Sequence, residues 1–264
     1  MYTHNLDPVL IDFGFIVIRW YSLAYIFGIV IGWWFGKKII RHIVKKTNIK
    51  FRLNDFDDLI SYLIISIIIG GRLGYVIFYN FQYYITNPIE IIKVWEGGMS
   101  FHGGLLGVII GSYFFSKKKG VSTFFILDII ACVAPIGIFL GRIANFINSE
   151  LVGKATNVTW SVIFPLVDKI PRHPSQLYEA ILEGAILFLI LNILIFKKKY
   201  KVGMSSSLFL VYYGIFRIAS EIFREPDAQL GYFFNLFSMG TILSFLMTIS
   251  GFIIFVFLKN KNEI

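Results

Sequence analysis

The chain has 264 residues, 56% of them hydrophobic and only 16% charged, with a mean hydropathy of +0.72. That balance excludes a soluble globular domain, in which about a quarter of the residues are charged. The net charge of +9 could suit nucleic acid, but the basic residues fall in alternate loops between apolar runs, so no nucleic-acid partner is expected.

A bilayer core about 30 Å thick takes on the order of 20 apolar residues per helix. Seven such spans are predicted in chain order, at 16–35, 59–79, 99–115, 124–140, 177–196, 207–223 and 234–258. The residues ahead of them, MYTHNLDPVLIDFGF, lack a basic n-region and a small-residue cleavage site, so no removable signal peptide is expected. Lys37, Lys38, Arg41, Lys45, Lys46, Lys50 and Arg52 follow the first span, and Lys117 to Lys119 the third. Lys197 to Lys199 and Lys201 follow the fifth, and Lys259 and Lys261 the seventh. The positive-inside rule then puts the N-terminus outside and the C-terminus in the cytoplasm. In hydrocarbon the backbone must bond within each segment, so the fold class is all-α, a polytopic integral membrane protein with seven transmembrane helices. No linker or repeat divides it, and 1–264 reads as a single domain. The one cysteine, Cys132, sits in the apolar run IIACVAPIG; burial there raises a thiol pKa, and the residue reads as packing.

Ionisable residues inside a span cost about 2.5–3.5 kcal/mol each at mid-helix and usually face the bundle interior. With the predicted topology they gather on one side. Tyr25 lies in the outer half of the first span, Arg72 in that of the second, and His102 near the outer start of the third. Arg142 and Asn145 are placed where the fourth span leaves the membrane; Arg217, Glu221 and Arg224 lie in the outer half and exit of the sixth. Tyr213, Arg217, Glu221 and Arg224 follow helical steps of four, four and three and share a face. Taken alone, Arg217 with Glu221 reads equally as an ion pair stitching the bundle or as part of a site. The further polar groups at the same depth favour a site.

Other signals are weaker. Gly103 and Gly107 in SFHGGLLG have the G-x-x-x-G spacing of close helix packing, and Pro174 in RHPSQLYEA suits the start of the fifth span. The four histidines show no metal-ligand spacing and no Ser, His and Asp set forms a triad; neither a metal nor a cofactor is expected. Guanidinium forks match phosphate oxygens and keep their charge when partly buried, which points to a phosphate-bearing ligand reached from the lipid bilayer. A transporter is the rival class, but transport folds usually carry repeats with midplane sites. A seven-span receptor leaves the arginine cluster unexplained.

GRIANFINSELVG, Gly141 to Gly153, resembles the signature of the prolipoprotein diacylglyceryl transferases: Gly, Arg, any residue, Gly or Ala, Asn, Phe, an aliphatic, Asn, any residue, Glu, two more and Gly. Every constrained position is met. GGRLGYVIFY (Gly70 to Tyr79), GGMSFHGGLLG (Gly97 to Gly107), RHPSQLYEA (Arg172 to Ala180) and YGIFRIASEIFREPD (Tyr213 to Asp227) are similar to the same family, in its order and over most of the chain. The resemblance implies a multi-pass enzyme of the bacterial plasma (inner) membrane. It would transfer the diacylglyceryl group of phosphatidylglycerol to the thiol of the lipobox cysteine in a prolipoprotein signal peptide, forming a thioether and releasing glycerol phosphate. The nucleophile then belongs to the partner, in keeping with an inert Cys132. His102 is implied as the thiol base, with Glu150 its rival, and Arg142 and Arg217 as the phosphate clamp. Asn145 would donate a hydrogen bond, Glu150 and Glu221 would orient the arginines, and Tyr25 and Tyr75 would contact the headgroup or glycerol; Arg72 and Tyr213 complete the expected lipid site. The chain departs from the family pattern at Ser22, in RWYSLAY, where glycine is usual, and at Gly71, where alanine is common.

Overall fold

The structure, a computed structural model, describes residues 1–226, 232–233 and 237–260. In chain order it has strands β1 (Tyr2–Thr3), β2 (Val9–Asp12) and β3 (Val17–Arg19), then helices α1 (Trp20–Lys46), α2 (Leu53–Tyr79), α3 (Phe81–Thr86), α4 (Phe101–Lys119) and α5 (Thr123–Ile147). Strands β4 (Val162–Ile163) and β5 (Pro171–Arg172) follow, then α6 (Ser175–Glu179), a π-helical stretch Ala180–Ile186, α7 (Leu187–Lys197), α8 (Met204–Glu221), the short strands β6 (Tyr232–Phe233) and β7 (Phe237–Ser238), and α9 (Met239–Asn260). The fold is mostly helical, as expected, with strands of at most four residues among those described.

Among the described residues, five helical segments are long and apolar enough to cross a membrane: Trp20–Lys46, Leu53–Tyr79, Thr123–Ile147, Ser175–Lys197 and Met239–Asn260. Seven were expected. The other two predicted spans are helices α4 and α8, but glycines, serines and three lysines dilute the first, while serines, Arg217 and Glu221 dilute the second. The long helices α1, α2 and α9 leave Phe27, Ile69, Phe252 and Ile253 more than half exposed, as lipid-facing side chains are. The chain is a multi-pass membrane protein.

Boundaries moved for identifiable reasons. The first span begins at Trp20 rather than 16, because residues 17–19 pair antiparallel with β2. Gly14, at φ 80°, makes the turn between them. The fourth helix does not stop at 140 but runs to Ile147, which puts Arg142 and Asn145 inside its last two turns rather than beyond its exit. The predicted seventh span starts at Phe234, which lies outside the described residues; the described helix starts at Met239.

The chain divides into two compact units, residues Met1–Ile39 with Asp128–Ile264, and residues Ile40–Leu127. In the Ile40–Leu127 unit, α2 and α4 pack along small residues. A Cβ on Gly70 or Gly103 would overlap the other's backbone, and one on Gly107 would overlap the Ser66 carbonyl. The G-x-x-x-G spacing therefore marks close helix packing. Ser100 caps α4, accepting from the Gly103 amide at 3.2 Å.

In the larger unit, α5 approaches the π-helical stretch at Gly184, where a Cβ would stand 2.6 Å from Phe139 Cβ. Gly214 and Gly251 let α8 and α9 meet in the same way. The buried carboxylate of Asp128 starts α8, accepting from the amides of Gly203 at 2.6 Å and Ser206 at 2.7 Å and from the Tyr200 hydroxyl at 2.9 Å. Beyond the helices, β1 pairs parallel with β4, and β4 antiparallel with β5.

Candidate active site

The larger unit brings three guanidiniums and three carboxylates together. Arg142 comes from the end of α5, Glu179 from the end of α6, Glu183 from the π-helical stretch, and Arg217 and Glu221 from α8, with Arg224 just beyond it. Arg142 Nε lies 2.8 Å from Glu179 Oε2, and its Nη2 3.3 Å from Glu183 Oε2. Arg217 Nη1 is 2.9 Å from Glu179 Oε1 and 3.4 Å from Glu183 Oε1, while its Nη2 is 2.7 Å from Glu221 Oε2. Arg224 Nη1 approaches Glu179 Oε1 at 3.3 Å. Both Glu179 and Glu183 are fully buried.

Local sequence explains the convergence. Residues 179 and 183 are four apart on one helical segment, and 217 and 221 four apart on another, so each pair shares a face. The close approach at Gly184 and Phe139 lays α5 against the segment that bears Glu183, and Arg142 follows Phe139 by three residues, on the same face. Glu221 is held from its far side by the Ser238 hydroxyl at 2.8 Å. Tyr213, one turn before Arg217, is buried and stacked on Phe209 at 5.5 Å.

The formal charges of the six groups cancel, yet Arg142 retains an unused donor. Arg142 engages carboxylates through Nε and Nη2, and its Nη1 makes no protein hydrogen bond among the described residues. A guanidinium carries five N–H groups, so a bound anion can be shared without displacing the glutamates that aim it.

Sequence reasoning expected Glu150 and Glu221 to orient the arginines. Glu221 contacts Arg217 as expected. Glu150 contacts no arginine among the described residues; it accepts from Asn145 Nδ2 at 2.9 Å and Asn148 Nδ2 at 3.2 Å. Two fully buried glutamates fill the role instead, because they sit at the depth of the guanidiniums while Glu150 lies past the end of α5. Glu179 and Glu183 lie outside the expected site, although two acidic residues one turn apart in an apolar helix are a signal for one. Arg224, which the helical spacing puts on the same α8 face, joins the network through Glu179.

Of the remaining expected site residues, Tyr25 lies on α1, with its hydroxyl 3.5 Å from that of Tyr21. Arg72, Tyr75 and His102 belong to the Ile40–Leu127 unit. Arg72 is buried, and backbone carbonyls take up its guanidinium: Ile91 at 2.8 Å from Nε, Glu90 at 2.6 Å from Nη2, and Gly97 and Gly98 from Nη1. These contacts make it a clasp of the segment between α3 and α4. Tyr75 stacks on Tyr79 at 5.4 Å. His102 is the second residue of α4, and its side chain lies outside the described part.

A polar surround closes the loop after α5. Arg172 donates to Asp168 Oδ2 at 2.6 Å and to the Gly153 carbonyl at 2.9 Å, and its guanidinium holds the Asp168 carboxyl below the usual carboxylate range. Gly153 fits tightly, since a Cβ there would come 2.7 Å from His173 Cβ and 2.8 Å from the Phe223 carbonyl.

Comparison with known proteins agrees with these features. The family model described as prolipoprotein diacylglyceryl transferase matches residues 8–257. Relatives named phosphatidylglycerol--prolipoprotein diacylglyceryl transferase include those of Rickettsia felis, 50% identical over 94% of this chain and 95% of the relative, and Rickettsia akari, 51% identical over the same shares. The Rickettsia bellii protein is 48% identical over 98% of this chain and 96% of its own. With the signature segment carrying one of the arginines at the centre of the buried network, the chain belongs to the prolipoprotein diacylglyceryl transferase family.

Proposed function

We propose that the protein transfers the diacylglyceryl group of phosphatidylglycerol to the lipobox cysteine of a prolipoprotein signal peptide. The observation that carries this reading is the Arg142 and Arg217 pair, aimed by three glutamates and retaining donors for a phosphate. In the reaction the cysteine sulfur forms a bond to the glycerol carbon as the carbon–oxygen bond to phosphate breaks. Glycerol phosphate leaves with the electron pair, and the thiol proton passes to a base.

A free thiol of pKa about 8.5 is only a few per cent thiolate near pH 7, so a base accelerates the attack. We assign that role to His102, with Glu150 the alternative. The leaving phosphate grows from about −1 towards −2. Guanidiniums already fixed in place stabilise that added charge more than the ground state, which lowers the barrier rather than merely binding lipid. Asn145, Tyr25, Tyr75 and Tyr213 complete the lipid site, and Arg72 holds its loop.

We also propose that α4 and α8 cross the bilayer, giving seven spans with the N-terminus outside and the C-terminus cytoplasmic in the bacterial inner membrane, the whole chain acting as one catalytic domain. Nineteen and 18 residues reach ~28 and ~27 Å at 1.5 Å per residue, close to the hydrocarbon thickness of about 30 Å.

Purified protein in phosphatidylglycerol vesicles with a lipobox peptide tests the reaction. A diacylglyceryl mass gain on the cysteine peptide and none on its serine counterpart is expected. Equal modification of both, or of neither, refutes it.

A further inference from the structure

Two residues that carry a β-carbon adopt the left-handed conformation, Ser149 at φ 57° and Leu151 at φ 54°, and they flank Glu150. For an L-residue that region costs about 1–2 kcal/mol, so neighbouring groups must hold it. Ser149 stands where helices commonly end on glycine, and the Glu150 amide reaches back to the Asn145 carbonyl at 2.9 Å.

One side of this loop is clamped by α6. Gln176 Nε2 donates to the Glu150 carbonyl at 2.6 Å, and the Ser175 hydroxyl to the Leu151 carbonyl at 3.0 Å. The other side is met by His4. Its amide donates to the Ile163 carbonyl at 2.8 Å, continuing the pairing of β1 with β4. Its ring is buried between Phe146 and Phe164, with centroids 5.2 and 5.3 Å away. Nδ1 lies 3.2 Å from the Ser149 hydroxyl, while Nε2 finds no hydrogen-bond partner among the described residues. An aliphatic or aromatic side chain would fill this site without an unpartnered polar atom. Burial holds the imidazole below its ordinary pKa, a hydrogen bond to the Phe146 backbone opposing part of that effect, so the ring is a neutral hydrogen-bonding group.

We infer that His4 is a positioning residue for transfer: through Nδ1 and the Ser149 hydroxyl it fixes the left-handed turn that sets Glu150 against Asn145. The inference rests on the reading that Asn145 and Glu150 serve the lipid site. When the turn relaxes, the Asn145 amide loses its 2.9 Å acceptor, and the misalignment falls on kcat more than on KM.

The test compares four variants with Asn145→Ala in the vesicle assay, each taken as a monodisperse preparation. His4→Phe fills the aromatic pocket without Nδ1 and is expected to lower kcat about tenfold while KM stays within about twofold. His4→Asn places an amide near Nδ1 and is expected to restore most of the loss. Ser149→Gly retains activity, since glycine adopts positive φ at no steric cost. The double variant His4→Phe, Ser149→Gly is therefore expected to exceed His4→Phe, a rescue that a purely space-filling histidine does not allow. His4→Phe with wild-type kcat, or a double variant as slow as His4→Phe, overturns the inference. Full activity in Asn145→Ala instead refutes the site reading beneath it.

Discussion

Replacing Glu179 with glutamine changes one charge at the centre of the network and almost no volume. The wild-type carboxylate faces Arg142 at 2.8 Å, Arg217 at 2.9 Å and Arg224 at 3.3 Å, with no solvent exposure. Glu179→Gln takes the six-group cluster from formal neutrality to +1. Breaking a buried ion pair from one side costs about 3–5 kcal/mol. The glutamine carbonyl still accepts one hydrogen bond, so the lower end, about 3 kcal/mol, is expected. At about 2–4 °C per kcal/mol that is a fall of roughly 6–12 °C in melting temperature. Thermal unfolding of the detergent-solubilised protein, followed by tryptophan fluorescence, reads the shift. Turnover is measured at 25 °C on monodisperse material and is expected to fall about tenfold or more as Arg142 loses the charge partner that holds its Nε. Glu183→Gln removes contacts of 3.3 and 3.4 Å and should shift melting less. An unshifted melting temperature with wild-type turnover in Glu179→Gln, or a larger shift for Glu183→Gln, refutes the assigned order.

Arg142→Lys keeps the charge but loses the planar fork; a fall in kcat/KM of about tenfold or more is expected in the vesicle assay, and wild-type kinetics would remove the phosphate clamp. His102→Gln should lower turnover with little change in KM, whereas a loss confined to Glu150→Gln would transfer the base role to that carboxylate. Gly107→Val drives a side chain into the Ser66 carbonyl and should cost at least about 1–3 kcal/mol by overpacking. It is read as lost protease resistance, while Gly104→Ala, with 3.7 Å of room to Ile67, should be tolerated. Asp168 lies outside the spans with its pKa held down by Arg172. Its stabilising contribution is fully present above about pH 4 and lost as pH falls through the depressed folded value. Asp168→Asn should therefore weaken the protein at pH 7 and flatten the acid side of its stability curve, measured by thermal unfolding across pH.

Composition and hydropathy determined the membrane class, because hydrocarbon admits few charges and requires backbone bonds within the segment. Glycine spacing in α4 carried its packing, since absence of a side chain is a local property that any close partner exploits. The signature carried the family. Helix faces were legible too: the four-residue steps from Tyr213 to Glu221 do line one side of α8.

Partnership was not legible. Sequence spacing says which residues share a face, but not which face meets it across the bundle. Only the tertiary structure decided that Glu179 and Glu183, rather than Glu150, hold Arg142, and that Arg72 closes on backbone carbonyls. It also decided that α5 continues through Arg142, because buried carboxylates from a segment more than 30 residues further on neutralise a charge that, in lipid alone, would mark the end of a span. His4 shows the same limit most clearly, lying 145 residues from the Ser149 hydroxyl it meets.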